Sequence, residues 1–262
     1  MNWEYSPLSL PLFISTGISI VVAYIAWRRR ESPGAKTLLY LMSAIALWTV
    51  TSGMENMVYG IPEKIFWSKI QYFGIASSPL FYMLFAFRYS QRDQWLTRPN
   101  LILLWVIPVV TIILALTNEH HMLLWKEFSQ NPENTALLIY HYGPWFWFNV
   151  VYGYLCVIVG LGVFIWSFPR SDYLQRRQII GMIFAGMIPW MGNIIYLLGW
   201  IPIPGFDITP FSFAISGLVL ALSLFSFQLF DLAPIARSRL VDTMQDAVIV
   251  NDQGRLARNQ LR

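Results

Sequence analysis

Glu55 sits in the middle of apolar sequence, and an acid there is costly unless it meets a partner or a ligand. Other polar side chains share this setting. Asn56 and Tyr59 follow Glu55 closely, and Lys69, Gln71 and Tyr72 open a neighbouring apolar run. Trp145, Trp147, Asn149 and Tyr152 open another, Asn193 and Tyr196 close one, and Asp207 and Thr209 precede the last. Carboxylates, amides and phenols interleaved with aromatic rings bind small molecules through hydrogen bonds, ionic contacts and stacking. Glu55 can hold a cationic ligand, or it can be a structural clamp satisfied by Lys69, Gln71 or a backbone group.

Other chemistry is missing. His120, His121 and His141 all fall in one loop, and only Glu119 accompanies them. His120 and His121 are adjacent and would point apart in a strand, so no metal site is expected. No histidine lies within an apolar run, which argues against axial haem ligation there. The last run holds no lysine for a retinal Schiff base. No glycine-rich phosphate loop or nucleophile motif occurs. Catalysis within these residues and a cofactor are both unexpected. Cys156 is the one cysteine, so no intrachain disulfide can form, and it reads as a small apolar filler.

The elements that must position these groups are written in the composition. Of 262 residues, 56% are hydrophobic and 12% charged. A soluble domain carries about 25% charged residues. The apolar residues gather in seven runs, 7–27, 36–59, 65–87, 101–117, 144–168, 178–200 and 209–230. About 20 apolar residues make a membrane-spanning helix. The expectation is an all-α membrane protein, a seven-transmembrane-helix bundle. Basic residues fix its orientation, because 15 of the 18 fall at one side of the alternating runs, and only Lys64, Lys69 and Lys126 at the other. By the positive-inside rule the N-terminus is outside and the C-terminus cytoplasmic. The net charge of +4 is thus a topology signal and not a nucleic-acid footprint. Met1–Ser6 has no basic residue, so run one is expected to stay as a helix and not be cleaved as a signal peptide.

The orientation gathers the polar groups. Glu55, Tyr59, Gln71, Tyr72, Trp145, Asn149, Tyr152, Asn193, Tyr196 and Asp207 all fall near the outer face. They form the candidate ligand-binding set. Between runs four and five, Leu123–Phe128 and Thr135–Tyr142 flank a turn-rich cluster. An extracellular β-hairpin is expected there, acting as a lid or as an ordinary loop. Pro189-Trp-Met-Gly-Asn193 can kink run six beside the pocket or serve packing alone.

Past run seven, Pro234 can end, kink or restart a helix. Ala247-Val-Ile-Val followed by Asn-Asp-Gln-Gly reads as the opening hairpin of a further domain. The chain stops too soon to close that core, so a fragment of a longer protein is expected. The chain divides into a helical membrane region at 1–230, a helix or linker at 231–246, and the start of a further domain at 247–262.

Several motifs carry a resemblance: Gln71-Tyr-Phe-Gly-Ile-Ala with Pro79, Phe87-Arg-Tyr-Ser, Leu116-Thr-Asn-Glu-His-His and Tyr142-Gly-Pro-Trp-Phe-Trp. Gly192-Asn-Ile-Ile-Tyr196, Phe206-Asp-Ile-Thr-Pro210 and Phe230-Asp-Leu-Ala-Pro-Ile-Ala-Arg complete them. Over roughly residues 5–240 the chain resembles the N-terminal seven-transmembrane sensor region of prokaryotic membrane histidine kinases. Related regions also precede diguanylate cyclases. Glu55 falls where such relatives carry an acid in the second helix. The resemblance implies a multi-pass plasma-membrane receptor of two-component signal transduction, a homodimer, and a response regulator reached through a kinase core. It makes 1–230 the sensor domain, 231–246 a signalling helix or linker with Asp231 and Pro234 as candidate relay residues, and 247–262 the start of a PAS-like domain. It implies a small-molecule or lipid ligand without naming it. A small-molecule transporter is the rival, and sensing of lipid or bilayer state without a ligand is a third reading.

Overall fold

The computed structural model describes residue 3 and residues 5–226, apart from residue 133. The expectations for 231–246 and 247–262, with Asp231 and Pro234, lie outside the described residues. Seven helices are described: α1 (Ser9–Arg28), α2 (Ala35–Met57), α3 (Ile61–Tyr89), α4 (Arg98–Leu116), α5 (Pro144–Ser167), α6 (Tyr173–Leu197) and α7 (Thr209–Ser226). The first six are long and apolar enough to cross a membrane, and α7 is apolar over Thr209–Ser223. Helices satisfy their own backbone in hydrocarbon, which is why apolar runs of this length take this form.

Local sequence sets the helix starts. Pro62, Pro99 and Pro144 stand in the first turns of α3, α4 and α5, where the missing N–H costs nothing. Asp172 caps α6, its carboxylate accepting the Gln175 N–H at 2.8 Å. The helix α3 begins four residues before its apolar run. Lys64 therefore belongs to its first turn, fully buried, rather than to a loop. Pro79, Pro108 and Pro189 lie within helices.

Six helices form a ring in the order α1, α2, α3, α5, α6, α7, closed by α7 against α1. The remaining helix, α4, stands outside it against α3 and α5. Only Pro108, Thr111 and Ala115 of α4 are buried. Ile102 and Leu103 on its exterior are 70% and 71% exposed, as suits a lipid-facing wall. Between helices the contacts are close and partly polar. Thr16 of α1 and Thr49 of α2 share a hydrogen bond at 2.9 Å, and the Ser9 hydroxyl donates to the Gly53 carbonyl at 3.0 Å. Such bonds each add modestly to association in lipid. Gly74 lets α3 lie directly on α2; a Cβ there would stand 2.5 Å from the Ala44 carbonyl oxygen.

Between α4 and α5 the chain forms a hairpin of β1 (Trp125–Gln130) and β2 (Leu138–Tyr142). It is antiparallel, with Phe128 opposite Tyr140 and Trp125 opposite Tyr142. An extra residue, Lys126, interrupts the register. That bulge shifts the alternation, so Trp125 and Phe128 both pack against Tyr140, at 6.0 and 5.8 Å between ring centroids. Buried Asn118 holds the base of the hairpin. Its carbonyl accepts the Leu124 and Trp125 N–H groups, and its amide donates to the Trp125 carbonyl.

Candidate functional site

The ring encloses a cavity of about 230 Å³, walled by every ring helix, the hairpin and the α6–α7 loop, and not by α4. Glu55, Gln71, Tyr72, Asn149, Asn193, Tyr196 and Asp207 line its hairpin end. Along α2 the wall runs from Glu55 to Leu41, fourteen residues, or roughly 21 Å at 1.5 Å per residue. The far end is apolar, with Leu41, Met42, Phe85, Met182 and Leu220 in its wall.

Glu55 is buried near the end of α2 and fully partnered. One carboxylate oxygen accepts the Tyr140 hydroxyl at 2.6 Å; the other accepts the Gln71 amide. Behind them, Ser52 donates to the Gln71 carbonyl oxygen at 3.0 Å, and Ser68 meets the Tyr140 hydroxyl at 2.6 Å. The Lys64 ammonium donates to the backbone carbonyls of Glu55 and Ala136, each at 2.9 Å. It supplies a positive charge close to the Glu55 carboxylate. Lys69, a candidate partner for Glu55, instead pairs with Glu119. That pairing lies on the exposed side of α3, and it holds the Glu119 carboxyl below its ordinary range.

The hairpin is fastened over this end by several groups. Tyr140 reaches Glu55, Lys64 reaches Ala136, and the Asn131 amide donates to the Pro204 carbonyl at 2.8 Å. Gly205, in the left-handed region at φ +78°, lies so close to the hairpin that a Cβ would stand 2.6 Å from the Leu138 carbonyl oxygen. Burial, and then the neighbouring Glu55 charge, pushes the Tyr140 hydroxyl well above its ordinary pKa. Tyr142 is raised likewise, with burial the largest cause. Both hydroxyls therefore keep their protons and remain donors.

A second polar chain runs across α5, α6 and α7. Tyr154 donates to the Asn193 carbonyl oxygen at 2.9 Å, and the Asn193 amide donates to the Thr209 hydroxyl at 3.3 Å. The Thr209 N–H donates to the Asp207 carboxylate at 2.8 Å. Thr209 is the first residue of α7. Burial pushes the Asp207 carboxyl up to about 6, against the opposing pull of its Thr209 hydrogen bonds. Beside it, Tyr142 and Tyr196 share a hydrogen bond at 2.5 Å. Tyr142 also stacks on Phe146 with 3.5 Å between ring centroids.

Three candidates lie elsewhere. Tyr59 is 55% exposed and borders a separate hollow next to Tyr5–Leu8 and Asn134–Ala136. It falls just past the end of α2, so its side chain leaves the helix face that carries Glu55. Trp145 donates to the Thr111 hydroxyl at 2.9 Å, turning towards α4. Tyr152 donates to the Leu104 carbonyl at 2.6 Å and packs beside Cys156. Both serve the seam between α4 and α5, away from the cavity. Conversely, Trp125, Tyr140 and Tyr142 of the hairpin, and Tyr154 and Trp190 of the helices, line the cavity. The x-Tyr140-x-Tyr142 alternation was the one sequence signal for a hairpin face turned inward. The Trp190 indole N–H is buried without a hydrogen-bond partner. Among the described residues no cluster of three metal-ligating side chains occurs.

The arrangement can bind and enclose a molecule. Comparison with known proteins decides the class: the family model for the N-terminal seven-transmembrane region of histidine kinases matches residues 11–234. The chain belongs to that family of membrane sensor regions. No curated protein matches it.

Proposed function

We propose that this region is a ligand-operated receptor. The hairpin end faces outward and the N-terminus is outside, a reading supported by the placement of the basic residues. A small molecule enters the chamber below the hairpin lid and binds one arrangement of the ring better than another. Only such a difference in affinity can move the equilibrium. The change leaves through α7 to a cytoplasmic kinase core in the same protein, which works as a homodimer in the plasma membrane and addresses a response regulator. The sensor region itself performs no catalysis.

One observation carries this reading. The hydrogen-bonded chain in the cavity wall, from Tyr154 through Asn193, terminates on Thr209, where α7 begins. A group in the chamber that displaces Asn193 or Asp207 acts directly on the first turn of the output helix. The apolar far end of the cavity disfavours a carrier, which needs polar groups on both sides of the midplane.

The test uses the full-length protein reconstituted in vesicles or studied in its host. Glu55→Gln and Asn193→Ala are expected to change the response of kinase output to the physiological signal while membrane insertion stays normal. Parental responses from both variants would sink the proposal.

A further inference from the structure

The charged side chains in the cavity wall are Glu55 and Asp207, and no lysine or arginine accompanies them there. Their situations differ. Glu55 receives Tyr140 and Gln71 and has Lys64 close by. Asp207 has Thr209 as its hydrogen-bond partner, and no salt bridge reaches it among the described residues. A half-buried carboxylate without a counter-charge is an unfinished site. Tyr142 and Tyr196 lie close enough to feel its charge, Phe206 precedes it in the same wall, and aromatic faces favour a cation over an anion. From this polar end the cavity continues for roughly 21 Å between apolar side chains. That is about two-thirds of a hydrocarbon layer. A compact polar ligand would leave that length unfilled.

We propose that the cavity takes a single-chain amphiphile with a cationic amine head, the ammonium on Asp207 and the hydrocarbon chain running down to Leu41 and Leu220. The proposal rests on the receptor reading and names its ligand class. Glu55 keeps its latch on the hairpin while Asp207 takes the head, so binding need not break the lid.

The experiment places the protein in phosphatidylcholine nanodiscs with dodecylamine carrying a diazirine on its terminal carbon. Irradiation is followed by peptide mapping. The expected labels fall on deep wall residues such as Leu41, Met182 and Leu220. Dodecylamine competes for them, dodecanoate does not, and Asp207→Asn lowers the competed labelling about tenfold, the loss of one charge-assisted contact. A circular dichroism spectrum and unfolding midpoint no lower than the parent's establish that the variant is folded. Labels confined to lipid-facing positions such as Ile102 and Leu103 would overturn the proposal, as would equal competition by dodecanoate. Full competition by butylamine would overturn the chain-binding part and point to a water-borne amine. Kinase output in the full-length protein separates the two claims. Pocket variants that alter output without any deep labelling defeat the amphiphile but leave the receptor. Deep labelling with output indifferent to dodecylamine defeats the receptor but leaves the site.

Discussion

Replacing Asp207 with Asn should stabilise the sensor region, and the gain should depend on pH. The carboxyl is held at about 6 in the fold against an ordinary value of 3.8. Each pH unit between folded and unfolded values is worth about 1.36 kcal/mol, so ionised Asp207 costs the fold about 3 kcal/mol. Because the folded value is the higher one, the cost is absent below 3.8. It grows as pH rises through the interval to about 6, and it is constant above that. Asn is neutral throughout and keeps the carbonyl oxygen that accepts the Thr209 N–H. The variant should therefore gain about 3 kcal/mol at pH 8 and about 1.6 kcal/mol at pH 5. At pH 8 that corresponds to an increase in unfolding midpoint of roughly 6–12 °C. The assay is thermal unfolding of both proteins in nanodiscs from pH 4.5 to 8, and the readout is their difference, which cancels every other titrating group. Dodecylamine should close the gap at pH 8 by supplying the missing cation. A difference that does not change with pH, or a variant less stable than the parent at pH 8, would refute the claim that the half-buried Asp207 lacks a counter-charge.

Two further outcomes test the scaffold. Gly74→Val should destabilise the bundle by at least about 1–3 kcal/mol. Its side chain would be driven into the Ala44 carbonyl and Trp48, and an unfolding midpoint within error of the parent's would contradict the close α2–α3 approach. Thr135→Cys, exposed on the hairpin, should react with an impermeant maleimide in intact cells, whereas Gln94→Cys, exposed between α3 and α4, should react only after permeabilisation. The native Cys156 is buried and should give no background; the opposite labelling pattern would invert the proposed orientation.

The membrane helices were legible because hydrocarbon admits few alternatives. A run of about 20 apolar residues has to satisfy its backbone internally. The hairpin was legible from two apolar stretches around Asn131-Pro-Glu-Asn. Which helices neighbour one another was not legible. Nothing in the order of the runs says that α3 packs on α5 while α4 stands outside the ring. That is why Trp145 and Tyr152, which serve α4, looked like pocket residues. Depth along a helix can be read from the sequence, but the direction a side chain faces depends on neighbours. Lys64 illustrates the same limit. It reads as a loop cation, yet the helix starts earlier than the apolar run and buries its stem, with the ammonium on two backbone carbonyls. The Lys126 bulge, which turns Trp125 inward, leaves no mark in composition.

The two acids of the chamber have separable tasks, and their surroundings say which is which. A buried carboxylate surrounded by donors is already neutralised in effect; removing it leaves Tyr140 and Gln71 without their common acceptor. Glu55 thus acts on the lid, since Tyr140 belongs to the hairpin. A carboxylate held, among the described residues, by Thr209 alone has binding capacity left over, and it adjoins the first turn of α7. In the proposed receptor Asp207 would therefore act on the ligand and on the start of α7 together. Tyr196 feels the charge of both acids and shares its hydroxyl with Tyr142 of the hairpin. The Asp207 charge also reaches Tyr142 directly, so a cation at Asp207 would change the electrostatics of the lid at both hydroxyls. In the proposed receptor, coupling between ligand, lid and helix needs no long path, because the Tyr142–Tyr196 hydrogen bond lies between the hairpin and α6 and both hydroxyls feel the Asp207 charge.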